Sequence, residues 1–353
     1  MRMKSLHCFG LIVLAAATLH GQSQPATNGA VFWSTVPPDC SSLSGESPAT
    51  ITNSSGATVG YSCWVSGTFV WLAAGGAWSS TIRVAAPTSG TIGVDYTFYD
   101  TTGNRLKLDT TLGSGSATES GSEVDFAASA NQPAEVNILG ATSNAPSYNT
   151  TETGSVYAVF YCPDATTCGN VLPQLLYSAL PSIPWSLSVP IAWDDATWTT
   201  WSAEGIDDGG AHRVSLVIYN EGTSNSCGVA TSFTVQVYDS TGKLAGTGTT
   251  PSIPPLATLS STSCGEAGTY GALLSDVIKT PLPSGIFKIL VDGGAEYSAV
   301  EVLQFTGASA TSLQVGYDSA PGSSSTAGAV RGAIARNSRV RSTSKPVFSA
   351  LSE

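Results

Sequence analysis

The stretch "GTIGVDYTFYDTTGNRL", residues 90–106, alternates apolar and polar side chains and then enters a turn. Val94, Tyr96 and Phe98 occupy every second position, and the turn that follows carries Asp and Gly. Because successive side chains of a strand point to opposite faces, this pattern predicts a half-buried β-strand leading into a hairpin. Similar short runs follow one another along the chain, so the pattern decides the fold class.

The same pattern returns in "ATSFTVQVYDSTGKL", residues 230–244, which indicates an internal repeat. The strands and turns on either side repeat as well, at an offset of roughly 140 residues. The matching stretches are 78–86 with 212–220, 133–141 with 285–293, and 154–162 with 297–305. We therefore predict an all-β chain of two homologous modules, and the many short strands favour sandwiches over a single large barrel.

These modules resemble the tandem immunoglobulin-like β-sandwich modules of secreted bacterial proteins. That family has a Trp or Phe before its first strand, an aliphatic-x-aliphatic-x-Asn strand, an aromatic-Asp-x-x-Gly turn and a late strand ending in Phe. Similar elements here are Trp78, 99–103 and 156–160 in module one, and Trp201, 214–220, 238–242 and 300–305 in module two. Module one departs by having Ala85-Ala86 where the Asn is expected. The resemblance, over residues 63–312, implies a fold and a surface setting but no reaction.

The N-terminus reads as a secretory signal peptide, because Arg2 and Lys4 precede an apolar run of about 14 residues and a small residue, Gly21. No later segment is apolar for long enough to predict a transmembrane span. We expect a soluble, exported protein that is secreted or extracellular, with the periplasm and the cell surface left open. The predicted organisation is signal peptide 1–21, N-terminal extension 22–62, β-sandwich module one 63–178, β-sandwich module two 183–312 and disordered basic tail 318–353.

The cysteines agree with an oxidising compartment, since six remain after the signal peptide is removed. Counting alone allows 15 pairings. Proximity favours three local disulfides, and no C-x-x-C spacing points to zinc or to a redox motif. The predicted pairs are Cys40–Cys63, Cys162–Cys168 and Cys227–Cys264.

Charge is distributed unevenly along a chain whose overall net charge is −11. Residues 21–317 carry seven basic and 23 acidic side chains, whereas the tail from Asp318 onward has a net charge of +3. An acidic body repels nucleic-acid phosphates, so we expect no nucleic-acid partner for the folded modules.

The strongest candidate for a ligand site is "WDDATWTTWSAEGIDDGG", residues 193–210, because it combines three tryptophans with five acidic side chains. Stacking of Trp193, Trp198 and Trp201 on a sugar, with Asp194 and Asp195 beside them, is one interpretation. Packing is the other, because Trp198 and Trp201 would face opposite sides of an unbroken strand.

Clustered carboxylates also leave a calcium site open, with Asp207 and Asp208 as candidate ligands, although the EF-hand spacing is absent. His212 is the one histidine after the signal peptide and reads as a residue at a strand end, which argues against a catalytic triad or a zinc protease. A catalytic carboxylate pair remains as a further hypothesis. Its candidates are Asp194, Asp195, Glu204, Asp207, Asp208, Asp95, Asp125 and Glu135.

The sequence thus favours a secreted, non-enzymatic β-sandwich protein for cell-surface, matrix or adhesive interactions, with a surface glycan or a protein as partner and no required cofactor. A carbohydrate-binding protein that uses the Trp and Asp patch of module two, with or without calcium, is the second hypothesis. A secreted hydrolase with a carboxylate pair is the third. The oligomeric state does not follow from the sequence.

Overall fold

The computed structural model describes residues 32–43, 47–53, 55–86, 90–113, 117–130, 132–179, 186–193, 199–207, 212–222, 229–254, 258–260, 263–264, 268–294, 297–306, 309–314, 316–317 and 347–349. These residues form an all-β fold of antiparallel sheets, which confirms the predicted fold class. Helix is confined to single turns. Within the described ranges, no helix is long and apolar enough to cross a membrane.

Twelve strands lie in the N-terminal half of the fold, and some of them, such as Glu123–Ser129, alternate buried and more exposed residues as the sequence pattern predicts. They are β1 Ala49–Thr52, β2 Thr58–Ala74, β3 Trp78–Ala85, β4 Thr91–Asp100, β5 Leu108–Leu112, β6 Glu119–Gly121, β7 Glu123–Ser129, β8 Ala134–Ala141, β9 Glu152–Cys162, β10 Leu172–Ala179, β11 Ser186–Pro190 and β12 Ala192–Trp193. A 3₁₀ turn spans Thr142–Asn144, and helix α1 spans Ala165–Cys168.

The remaining strands follow in the C-terminal half, together with the single-turn helix α2, Leu274–Val277. They are β13 Thr200–Asp207, β14 His212–Gly222, β15 Thr234–Asp239, β16 Leu244–Thr249, β17 Thr258–Ser260, β18 Ser263–Cys264, β19 Thr269–Leu273, β20 Ile286–Asp292, β21 Tyr297–Thr306, β22 Ser309–Gln314, β23 Gly316–Tyr317 and β24 Val347–Ser349.

The strands build two β-sandwiches. In the first, a seven-stranded sheet of order β24-β1-β2-β9-β4-β7, with β12 also on β2, faces a six-stranded sheet of order β11-β10-β3-β8-β5-β6. In the second, a five-stranded sheet of order β16-β15-β20-β13-β23 faces a four-stranded sheet of order β19-β14-β21-β22. Strand β13 lies between β20 and β23 in its sheet, and strand β21 lies between β14 and β22 in the other.

The two sandwiches have the same arrangement strand by strand. The order β10-β3-β8-β5-β6 corresponds to β23-β13-β20-β15-β16, and the order β2-β9-β4-β7 corresponds to β22-β21-β14-β19. Seven strands from β3 to β9 therefore correspond in sequence order to β13, β14, β15, β16, β19, β20 and β21. One position differs in origin: beside β9 lies β2, which precedes the module, whereas beside β21 lies β22, which follows it.

This arrangement corrects part of the predicted repeat. The matches of 133–141 with 285–293 and of 154–162 with 297–305 join strands in corresponding positions, namely β8 with β20 and β9 with β21. Two other matches, 78–86 with 212–220 and 90–106 with 230–244, join strands that occupy different positions in the two sandwiches. In the structure, β3 corresponds to β13 and β4 corresponds to β14. The alternating pattern is common to all these strands and carries no record of which strand pairs with which.

The similar turns after β4 and β15 are therefore one local motif used at two different places. Oδ1 of Asp100 accepts hydrogen bonds from the backbone N–H groups of Thr102 (2.8 Å) and Asn104 (3.0 Å). Oδ1 of Asp239 accepts the same pair from Thr241 (2.9 Å) and Lys243 (3.0 Å). An Asp at the start of a turn favours this geometry wherever it occurs, so the likeness reflects turn chemistry.

Polar side chains hold the chain near the ends of the corresponding strands β4 and β14. Asp100 does so through the turn after β4. Nδ2 of the buried Asn220 donates to the backbone oxygens of Ile253 (3.0 Å) and Val229 (3.3 Å), and so holds a loop beside β14.

The two sandwiches pack directly against each other. Val217 and Tyr219 of β14 point away from the core of their own sandwich, yet they are only 1% and 2% exposed. Their face of the four-stranded sheet lies on β2, where Thr269 Oγ1 donates to the Val70 carbonyl oxygen at 2.7 Å. A single hydrophobic core runs through both sandwiches as a result. The pair is one continuous body in this structure.

The predicted domain limits can be compared with the strand pairing. Strand β2 runs through the limit set at residues 62 and 63, because its N-terminal part pairs with β1 and the rest with β9. Strands β11 and β12 follow residue 183, where module two was expected to begin, but they pair with β10 and β2 of the first sandwich. The predicted signal peptide lies outside the described residues. In the predicted tail, only β24 is described, and it forms a strand beside β1.

Two of the three predicted disulfides form in the structure, namely Cys40–Cys63 and Cys162–Cys168. Cys63 lies directly opposite Cys162 on neighbouring strands, so the two bonds are side by side in the core. For the third predicted pair, Cys227 lies outside the described residues and Cys264 lies in β18.

The contact between the sandwiches predicts the effect of enlarging Gly271. A Cβ atom at this position would lie 2.8 Å from the ring of Trp71, so Gly271→Val must displace the indole or separate the sandwiches. We expect a loss of about 1–3 kcal/mol in the free energy of unfolding, measured with urea. Thr247→Val on the exposed strand β16 is the control, and equal stability of the two variants would contradict the interface.

Candidate functional site

Two of the three tryptophans of the predicted patch are used in packing. The ring of Trp193 meets Phe160 edge to face at a centroid distance of 5.8 Å and packs against the core. Trp201 is 7% exposed, and its Nε1–H donates to the backbone oxygen of Ser298 at 2.9 Å and to Oγ of Ser298 at 3.1 Å. Because Ser298 belongs to the opposite sheet, Trp201 links the two layers of the second sandwich. Its ring therefore offers no open face to a sugar.

The structure places few of the remaining candidates. Trp198, Asp194, Asp195 and Asp208 lie outside the described residues, and Asp207 ends strand β13. His212 begins β14 opposite Thr306. In the part of the chain that the structure describes, no three His, Cys, Asp or Glu side chains come together in a way that could hold a metal ion. The predicted roles of the residues outside the described ranges stay predictions.

A different pair of candidate carboxylates does come together. Asp95 of β4 and Asp125 of β7 lie directly opposite each other on neighbouring antiparallel strands, on the outer face of the seven-stranded sheet. Their side chains are hydrogen-bonded to each other, and Oδ1 of Asp95 is buried without a hydrogen-bond partner. Two carboxyl groups in this position repel each other when both are ionised, which favours the protonated form of the pair.

Both acids titrate above the usual range of an aspartate. Burial, followed by the repulsion from Asp125 and Glu123, raises the pKa of Asp95 well above its ordinary value, with Arg105 opposing this. Burial and the charge of Glu123 raise the pKa of Asp125 to about 6. The side chain of Arg105 is bound to Glu123, so its charge is already shared at the edge of the pair.

The cover over this part of the sheet comes from the N-terminal segment. Phe32 is 5% exposed and lies on Gly93, where a Cβ atom would be 2.7 Å from its ring. Beside it, Val159 and Tyr161 complete a small apolar cluster on the outer face. Gly93 is two residues before Asp95 on the same strand, so the acid pair borders this covered apolar surface.

A third carboxylate has the opposite environment. Asp109 of β5 is 3% exposed, and its two oxygens accept hydrogen bonds from Ser120 Oγ (2.5 Å), Tyr148 OH (2.7 Å) and Thr142 Oγ1 (2.8 Å). Burial alone would raise the pKa of Asp109, but these three hydroxyl donors outweigh it and hold the pKa below its ordinary value. The ion is a structural centre that joins β5, β6 and the loop after β8.

The placement of Asp95 and Asp125 can be compared with what the hydrolase hypothesis requires of two carboxyl groups. Glycoside hydrolysis needs two carboxyl groups separated by about 5 Å or more, so that the sugar or a water molecule fits between them. Asp95 and Asp125 lie directly opposite each other and their side chains interact. The third module-one candidate, Glu135, is paired with Arg83 at 2.6 Å. Each of these three carboxyl groups thus interacts with a neighbouring ionisable side chain, and the hydrolase hypothesis stays a prediction.

The sequence alone offers Asp95 and Asp125 as separate candidates but not as a pair, and it does not single out Asp109. Alternation predicts that Asp95 shares a face with Asp125 only once β4 and β7 are known to be neighbours. No local signal marks Asp109, because its three partners come from distant positions in the sequence.

Comparison with known proteins adds no assignment, since no protein-family model, no curated protein and no solved structure matches this chain. Membership of the immunoglobulin-like module family stays a prediction from the resemblance.

Replacing Asp125 by Asn should stabilise the protein at pH 8. The pKa of Asp125 is about 6 in the folded protein and 3.8 ordinarily, so the stability contributed by protonation of Asp125 is lost as the pH rises from about 4 through 6. Asn keeps a hydrogen-bonding group without the charge. We expect a gain of about 1–3 kcal/mol in unfolding free energy at pH 8 and a much smaller gain at pH 4. A gain that does not depend on pH would contradict the raised pKa of Asp125.

Replacing Asp109 by Asn should have the opposite pH dependence. The lowered pKa of Asp109 means that its stabilising contribution is present above the ordinary pKa of 3.8 and is lost as the pH falls through the folded value. We expect Asp109→Asn to cost about 1–3 kcal/mol at pH 7 and much less at pH 2.5, measured by urea unfolding at each pH. An equal loss at both values would mean that shape, rather than charge, is what the three hydroxyl groups recognise.

Proposed function

We propose that this protein is a secreted, non-enzymatic β-sandwich protein that acts in cell-surface, matrix or adhesive interactions. The observation that carries this proposal is which of the four outer sheet faces are covered and which are exposed. The four-stranded sheet packs on the first sandwich, and the seven-stranded sheet is partly covered by the N-terminal segment. The six-stranded and five-stranded sheets carry exposed polar rows, which makes the paired sandwiches a body with two broad contact surfaces.

The outer face of the six-stranded sheet carries polar groups in rows at the spacing of the strands. Oγ1 of Thr81 donates to Oδ1 of Asn137 at 2.9 Å, and Nδ2 of Asn137 donates to the backbone oxygen of Gly113 at 3.2 Å. Arg83 and Glu135 neutralise each other within the next row. At its margin Leu172 is 74% exposed. Such a face suits contact with an uncharged polar polymer or with a protein surface.

The outer face of the five-stranded sheet is of the same kind. Lys288 Nζ lies 3.2 Å from Glu204 Oε1, so the charges are again paired. Tyr238 and Gln236 stand on the neighbouring strand, with the Tyr238 hydroxyl donating to Gln236 Oε1 at 3.1 Å. Leu244 beside them is 46% exposed. Both faces carry paired charges, polar side chains and one exposed leucine, which supports a role in surface contacts rather than in catalysis at a single reactive centre.

The compartment is supported by the disulfides. Bonds such as Cys40–Cys63 and Cys162–Cys168 persist in oxidising surroundings and are consistent with an extracellular protein. Together with the predicted signal peptide at residues 1–21, they favour export.

Binding to immobilised polymers tests this proposal. Beads coated with residues 22–353 are applied to a panel of glycans and matrix proteins, with and without a calcium chelator, and retained beads are counted. Two surface variants distinguish the faces: Leu172→Glu with Gln174→Glu on the six-stranded sheet, and Leu244→Glu with Thr247→Glu on the five-stranded sheet. All four positions are exposed, so the variants should keep the wild-type melting temperature.

We expect retention on at least one polymer, and a loss of tenfold or more in one of the two double variants. Retention that both variants keep but that the chelator abolishes would instead favour the calcium-assisted carbohydrate site. Turnover of a glycoside or peptide substrate that Asp125→Asn abolishes would overturn the non-enzymatic proposal. A folded protein that binds no polymer of the panel would overturn the adhesive role.

A further inference from the structure

The outer edge of the seven-stranded sheet is formed by a strand from the end of the chain. Residues Val347–Ser349 of β24 pair with Thr50–Thr52 of β1 in parallel. Every other strand pair among the described residues is antiparallel. The free edge of β1 therefore accepts a short strand that is not its neighbour in the chain.

The two partners are held unequally. On the acceptor side, Ala49 and Ile51 of β1 are fully buried in the cluster on the outer face, and β1 pairs with β2 along its whole length. On the donor side, β24 has three residue pairs in the parallel geometry, which is the less stable of the two ladder types. Ordering three residues costs several kcal/mol of conformational entropy, so the hydrogen bonds of β24 hold it only weakly. The pairing of β1 with β2 involves no residue of β24.

The length of chain before β24 lets it reach more than one acceptor. Residues 318–346 connect β23 of the second sandwich with β24, and these 29 residues can span up to about 95 Å. They carry five basic side chains, whereas residues 21–317 have a net charge of −16. Attraction to an acidic body is available in the same molecule and equally in a neighbouring one.

We infer that the edge of β1 is a strand-acceptor site that also takes the C-terminal strand β24 of a second copy of this chain. Each molecule then offers one donor and one acceptor, and a contact of this head-to-tail kind continues into an open filament unless the rotation closes it. A connection of this length gives an effective concentration of roughly millimolar for its own acceptor. The exchange between molecules therefore belongs to crowded settings. This inference needs no foreign ligand and stands apart from the proposed function.

Shortening the connection is the sharpest test. Deletion of residues 320–340 leaves eight residues before β24, which span at most about 26 Å instead of about 95 Å. The shorter reach disfavours pairing within the molecule relative to pairing with a neighbour. We expect the deletion variant to form concentration-dependent oligomers at micromolar protein by light scattering, where the full chain is monomeric. A variant with residues 320–340 replaced by Gly and Ser at equal length should stay monomeric.

A single donor substitution separates strand exchange from general stickiness. Phe348→Pro in the deletion variant removes a backbone N–H group from the middle of β24, and it should return the protein to a monomer. Ser344→Pro, placed before the strand, is the matched control and should leave the oligomers intact. A deletion variant that stays monomeric up to millimolar protein, or oligomers that persist with Phe348→Pro, would overturn the inference.

Discussion

Strand β2 is the constraint on which the rest of the structure depends. Of its 17 residues, those from Cys63 to Ala74 pair with β9 along one edge, while the other edge carries β1 and then β12. Beyond these, the Val70 carbonyl accepts the Thr269 hydroxyl of the second sandwich. The register with β9 shifts between Phe69 and Leu72, where a bulge bends and twists the strand. One continuous strand thus fixes the N-terminal cover, the first sandwich and the contact between the sandwiches.

How much of this could be predicted depends on whether the determining interaction is local. The all-β class, the Asp-Gly turns and the two short-range disulfides follow from alternation, turn chemistry and sequence proximity, and the structure shows all of them. Strand pairing does not follow, since β4 and β15 have the same pattern yet occupy different positions. The pattern indicates that Trp201 lies on one face of a strand, but only the partner sheet decides that this face is the core.

The acidic residues show the same division. An Asp that opens a turn is recognisable from its neighbours, as at Asp100 and Asp239. By contrast, Asp109 and Asp125 are buried by distant strands and titrate in opposite directions, although nothing in their immediate sequence distinguishes them. The two residues differ in their neighbours: three hydroxyl donors surround the carboxylate of Asp109, whereas the carboxyl group of Asp95 lies opposite Asp125. A chain with few basic side chains has to stabilise buried acids by such means.

The shared position of β2 and β22 has a consequence for how the two sandwiches assemble. Strand β22 follows β21 after a short turn, so this edge of the second sandwich can close as a local hairpin. In the first sandwich, the equivalent edge waits until residues near Cys162 meet those near Cys63, across nearly the whole intervening module. Closure of long loops slows folding. The two sandwiches thus share one architecture but differ in contact order. The first sandwich, which is synthesised first, is expected to close this edge more slowly than the second.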